Sequence, residues 1–312
     1  MSGLERGSFA GHETFPFRYA WLPKAVEAVA RESTVFGRED AMVEFGVGKN
    51  MVRSMRHWGL VCEVIEEDPT VPNNRGRCLR PTALGQRLLG PGGWDPYLED
   101  PATVWLLHWQ LASNPGGPTT WYWTFNHVPQ PEFTKAQLLG WLLSLAQQYG
   151  WSRVADASLK RDIDCFVRTY VPARPTRMTP LEETLDCPLV ELGLLREFGA
   201  KGTYLLARTE QETLPDEVFA YGLAAYLARV GSSARTMPLE TIASAPGAPR
   251  RVFCLSEEAL LVRLERLATV TRGALSFDET AGLRQVLIHK SVDPMTLLAR
   301  YYSQAGSAGV AA

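Results

Sequence analysis

Residues 35–58, VFGREDAMVEFGVGKNMVRSMRHW, constrain this chain more than any other stretch. Residues 40–45 read as a short helix, and Gly46 stands where a helix ends in a left-handed residue. Gly48 opens a second helix from Lys49 to Trp58, and Gly59 closes it. At about 100° per residue, Met51, Val52, Met55 and Trp58 gather on one face. Lys49, Asn50, Arg53, Arg56 and His57 fall on the other. Such a helix suits a DNA groove, because Lys and Arg pair with phosphates while Arg and Asn read base edges. The competing reading is a solvated amphipathic helix with a basic outer face.

The next thirty residues favour DNA. Residues 60–65, LVCEVI, are apolar and β-branched. An acidic, Pro/Asn-rich turn comes next, then RGRCLR at 75–80, then the helical PTALGQRLL. Strand, turn, strand and helix after a helix-turn-helix is the layout of a winged helix. The expectation is therefore a winged helix-turn-helix DNA-binding domain over residues 1–92, with Arg75, Arg77 and Arg80 on its wing. The run Gly46-Val-Gly48-Lys49 is not a phosphate-binding loop. That motif needs Gly-x-x-x-x-Gly-Lys-Ser/Thr, whereas here Asn50 follows the lysine and the first glycine is too close.

Net charge is −2, so any nucleic-acid surface must be local rather than a polybasic tail. At 312 residues the chain is long enough for two or three domains. Its five cysteines, Cys62, Cys78, Cys165, Cys187 and Cys254, are scattered and odd in number. They point to reduced thiols in the cytoplasm, with no disulfide framework and no structural zinc. No run approaches the ~20 apolar residues of a membrane span, and no signal peptide is visible, so no membrane partner is expected.

In chain order, residues 9–21 are dense in aromatic side chains, and a helix follows over 22–30. His12-Glu13 lacks the second histidine of a zinc-protease motif, since position 16 is proline. His12, Glu13 and Arg18 either tie this segment to the domain or form a functional cluster. Gly90-Pro-Gly-Gly93 marks a change of character. Residues 102–112 predict a buried helix, and the aromatics of 121–125 read as core filling. His108 and His127 read as core or loop histidines. Helices are expected near 133–149 and 158–170. An apolar run from Cys187, a glycine turn and a strand from Thr203 then echo the first unit as a second winged-helix-like fold. Further helices follow over 218–230, 257–267 and 296–302, with a strand near 275–277 and a disordered tail over 303–312. The fold class is thus mainly α, or α+β with short wing strands, with a helical region over 93–302.

No nuclease, phosphodiesterase or hydrolase motif is present. Asp162 and Asp164 diverge by about 200° on a helix, whereas Glu182, Glu183 and Asp186 lie on an irregular stretch better suited to oxygen ligation of Mg²⁺. Salt bridges and capping are the plainer reading of both sets.

The blocks FAGHETFPFRYAW, FGVGKNMVRSMRHW, TVWLLHWQLASN, SLKRDIDCFVRTYVP, LEETLDCPLVELGLL and DETAGLRQV cover nearly the whole chain. They resemble a family of bacterial proteins encoded beside DNA sulfur-modification genes. It includes the DNA-nicking components of single-strand phosphorothioation (Ssp) anti-phage defence systems. The resemblance implies a nicking endonuclease dependent on Mg or Mn that acts on duplex DNA. It also implies a cysteine desulfurase and a sulfurtransferase as partners. No family motif identifies the catalytic residues. The expected catalytic set is therefore His12, Glu13 and Arg18, which combine a base, an oxygen ligand and a cation on one irregular segment. Glu13, Asp162, Asp164 and Asp186 are the expected metal ligands. The alternative function is a non-catalytic DNA-binding adaptor or transcriptional regulator that recruits the sulfurtransferase.

Overall fold

The order of apolar residues sets the first helices of the computed structural model, which describes residues 7–151, 154–173, 187–200, 202–231, 234–280 and 282–309. In α1, Trp21–Arg31, a helical stripe of Trp21, Leu22, Ala25, Val26 and Val29 is buried. Helix α2, Ala41–Phe45, ends on Gly46 at φ 66°, the left-handed residue that the sequence required there. Helix α3, Lys49–Val61, buries Val52, Met55 and Trp58 as expected, together with Ser54 and Gly59. It does not stop at Gly59. A side chain there would meet Ile65 at 2.7 Å, so the glycine lets the helix continue pressed against the strand beyond it. The strand therefore starts late, with β1 at Ile65–Glu67 pairing antiparallel with β2, Leu79–Pro81. Leu79 N–H also donates to Ser33 O at 2.8 Å, a third rung on the far side of β2. Helix α4, Ala83–Leu89, is capped by the Thr82 hydroxyl, which accepts from Gly85 N–H at 2.9 Å.

The wholly buried helix expected over 102–112 is α5, Pro101–Ser113, and α6 is Thr119–His127. The aromatics Trp121, Tyr122, Trp123 and Phe125 are core. Strand β3, Glu132–Thr134, leads into α7, Lys135–Gln148, through a capping box of Thr134 and Gln137. Helix α8, Asp156–Tyr170, follows, and then β4, Leu195–Glu197, and β5, Thr203–Leu206. The three strands form an antiparallel sheet in the order β3-β5-β4.

The same topology recurs after α9, Asp216–Val230. Strand β6, Thr236–Pro238, leads into α10, Leu239–Ser244, α11, Pro249–Val252, α12, Glu257–Glu265, and α13, Leu267–Val270. A hairpin of β7, Leu275–Thr280, and β8, Leu283–Ile288, completes a sheet in the order β6-β8-β7. In both sheets the strand before the helices pairs with the last strand of the hairpin after them. In the first copy the single Leu79 N–H to Ser33 O bond occupies the corresponding place. The segment expected as a tail from residue 303 begins within the last helix, α14, Pro294–Gly309.

The fold is mainly α with small antiparallel sheets. The chain packs as two units, one within 1–124 and 128–207, the other within 125–127 and 208–312. Residues 7–92 share the first unit with 93–124 and 128–207. All five cysteines are free, and among the described residues no helix is long and apolar enough to cross a membrane.

Candidate functional site

Residues 9–17 are held by α3 from one side and by α8 from the other. The Ser54 hydroxyl donates to His12 O at 2.9 Å, and Trp58 Nε1–H donates to Phe15 O at 2.8 Å. The Arg168 guanidinium donates to Thr14 O. The His12 side chain is 1 % exposed, packed beside Trp58 and Trp121. Its Nδ1 accepts from Thr14 N–H at 3.0 Å, which leaves the ring proton on Nε2 to face Asp162 Oδ1 at 2.8 Å. The same oxygen accepts from Ala10 N–H at 2.7 Å. These bonds bend the segment hard: Ala10, Glu13 and Thr14 all have positive φ. Gly11 sits where a Cβ would come within 2.3 Å of His57 Nδ1, so a side chain there would displace the ring.

The residues expected as a catalytic set have different partners. Both nitrogens of His12 are occupied and its ring is buried. Glu13 is at the surface, 3.7 Å from Arg53. Arg18 stacks over the Trp21 ring and lines a groove of about 460 Å³ at the α2–α3 turn, with Met42, Val47 and Met51. Met51, expected on the buried stripe, is only half-buried for that reason.

On α3, Lys49, Asn50 and Arg53 are exposed. Arg56 is half-buried and donates to Gly76 O at 2.9 Å, which ties the helix to the β1–β2 loop. His57 departs from the expected outer face. It lies largely inward against His12 and Trp58, and its pKa is lowered to about 4, first by burial and then by His12. Arg75 and Arg77 are exposed in the β1–β2 loop. Arg80 is the cross-strand partner of Glu66 at 2.8 Å and lies 3.9 Å from Asp68, so its charge is already met.

Of the expected metal ligands, Asp162 is engaged by His12 and Ala10. Asp164 points to solvent and pairs with Lys135 at 2.6 Å. The two diverge as helical spacing required. Asp186, with Glu182 and Glu183, lies outside the described residues. Among the described residues no three His, Cys, Asp or Glu side chains gather to hold a metal ion. The described members of the expected set, Glu13, Asp162 and Asp164, do not form a metal site by themselves. Sequence reasoning missed the His12–Asp162 pair, because no spacing links groups 150 residues apart. Three buried polar atoms around His12, namely Asp162 Oδ2, His57 Nε2 and Trp121 Nε1, have no protein partner. His108, by contrast, is bonded to Tyr170 at 2.9 Å, as a core histidine should be.

A family model described as "Protein of unknown function (DUF4007)" matches residues 9–302. An SspB crystal structure is 32 % identical, with a TM-score of 0.86 over 97 % of this chain and 91 % of that one. A magnesium ion-bound SspB crystal structure is 31 % identical, with a TM-score of 0.85 over the same shares. The chain belongs to the DUF4007 family, as a relative of SspB. No curated protein matches. For this DUF4007 protein the match spans both units, so the likeness to SspB covers the hairpin copies as well as the α3 face.

Proposed function

We propose that this protein is the DNA-binding component of a phosphorothioation defence system, with residues 21–89 working as a winged helix. The observation that carries the reading is α3. It buries Val52, Met55 and Trp58 and exposes Lys49, Asn50 and Arg53 in its first turns, the part of a recognition helix that meets base edges. Arg75 and Arg77 on the wing would straddle the neighbouring phosphates. The likeness to SspB supports the finer reading that the protein nicks one strand with Mg²⁺ or Mn²⁺. On that reading it works in the cytoplasm beside a cysteine desulfurase and a sulfurtransferase. Glu13, at the surface beside Arg53, is the member of the expected catalytic set best placed to approach bound DNA.

The second reading is a non-catalytic adaptor that binds duplex DNA and recruits the sulfurtransferase. It is favoured by the engagement of His12 and Asp162 with each other and of Asp164 with Lys135. Incubation of the purified protein with supercoiled plasmid decides between them. Nicking predicts open circles in Mg²⁺ or Mn²⁺, none in EDTA, and few with Glu13→Ala. Plasmid that stays supercoiled in every metal although the protein binds it establishes the adaptor.

A further inference from the structure

The second unit holds a pocket of about 310 Å³ between the C-terminal half of α9 and the strand ends of the β6-β8-β7 sheet. Its floor is aliphatic, with Leu227, Leu275, Ile288 and Val292. Its rim is cationic, with Arg235, His289 and Lys290. Among the described residues no carboxylate lines it.

The rim is fixed by backbone bonds. Ile288 N–H donates to Arg235 O at 2.7 Å, which sets Arg235 beside the end of β8. His289 and Lys290 both donate their amide N–H to Ala274 O, at 2.9 and 3.2 Å. The His289 ring is oriented by the Ser276 hydroxyl at 2.8 Å. Elsewhere in this unit Arg263, Arg266 and Arg284 each pair with a carboxylate. Arg235 and Lys290 have no such partner among the described residues, so the pocket keeps two uncompensated positive charges at its mouth.

We propose that this pocket binds a nucleotide phosphomonoester, with the phosphate on Arg235 and Lys290 and the base or sugar against the aliphatic floor. Charge selects the phosphate. A phosphomonoester carries about −1.5 to −2 at neutral pH and three acceptor oxygens, which two cations and an imidazole match. A carboxylate would leave one cation unmet. Volume selects the size, since the cavity is at the small end of ligand sites, roughly 300–1,000 Å³, and takes one nucleotide rather than several. The shared chemistry could come from a free nucleotide or from the phosphorylated end of a strand. The inference does not rest on α3 as the duplex contact.

Fluorescence anisotropy with a labelled single-stranded oligothymidylate tests it. The probes are the 5′-phosphorylated strand, its 5′-hydroxyl twin, free dTMP and inorganic phosphate. The 5′-phosphate is expected to tighten binding roughly tenfold, with dTMP as a competitor. That preference should vanish in Arg235→Gln/Lys290→Gln and survive in Lys49→Ala/Arg53→Ala. Competition by dTMP without preference for a phosphorylated end supports the site and assigns it to free nucleotide. Three outcomes overturn it: no effect of either phosphorylated probe, a preference that survives Arg235→Gln/Lys290→Gln, or inorganic phosphate competing as well as dTMP.

Discussion

Helices α3 and α12 both precede a β-hairpin in the repeated strand–helix–hairpin order, yet their outer faces carry opposite charge. Helix α3 exposes Lys49, Asn50 and Arg53, whereas α12 exposes Glu257, Glu258 and Glu265 beside Val262. Helix α8, in the second copy, is mixed, with Lys160, Arg161, Asp164 and Arg168 all exposed. They are anchored differently as well. Side chains of α3 bond to the backbone of residues 12–15. In α12 the buried Arg263 donates to Leu214 O, Gln211 O and Asp216. The topology decides which helix is presented, and a few outer residues decide to whom. On the proposed reading a polyanion is drawn to the outer face of α3 and repelled by that of α12.

The sharpest way to break this comparison is to cut the polar tie beneath α3. Asp162→Ala removes the acceptor shared by His12 Nε2–H and Ala10 N–H and strands both donors. It should cost about 3–5 kcal/mol. Denaturant unfolding followed by tryptophan fluorescence reads this, since Trp58 and Trp121 flank His12. A loss under about 1 kcal/mol would show that the tie is incidental.

Acid gives the next largest effect. His57 has its folded pKa lowered from 6.5 to about 4, so between those values the unfolded chain takes up the proton that the folded one refuses. The stability this group contributes is complete above about 6.5 and lost as pH falls towards 4. The loss is on the order of 3 kcal/mol. Stability curves of the wild type and His57→Gln should therefore converge on acidification, and curves that stay parallel would refute the assignment.

The smallest effect sharpens the charge contrast itself. Lys49→Ala/Arg53→Ala should reduce the salt slope of duplex binding by about 0.9 per lost phosphate contact. Neutralising Glu257, Glu258 and Glu265 to glutamine should leave that slope unchanged. A slope that responds to the α12 changes and not to the α3 changes would reverse the reading of the two copies.

Much of the first copy was legible because its signals are local. The glycine at 46, the apolar stripe of α3 and the basic run before β2 all act within a few residues. The late start of β1 was hidden because Gly59 looks like a stop when only its neighbours are known. Strands β3 and β6 were invisible for another reason. Each has three residues, and β6 ends on a proline, so neither shows an alternation. Helical spacing correctly separated Asp162 from Asp164 but could not say which would be buried. The inward turn of His57 and the burial of His12 against Asp162 depend on packing between distant segments, to which spacing is blind.

The thiols have a consequence for a protein proposed to work beside sulfur chemistry. Cys62, Cys165, Cys187 and Cys254 are buried. Burial raises Cys62 and Cys165 well above the ordinary thiol range and pushes Cys254 up to about 12. A persulfide passes only to a thiolate that it can reach. Cys62, Cys165 and Cys254 are thus held as thiols, and all four buried groups are out of reach while the chain is folded, which leaves half-buried Cys78 in the β1–β2 loop as the one thiol open to solvent. The folded protein therefore meets activated sulfur at Cys78 alone among its five thiols.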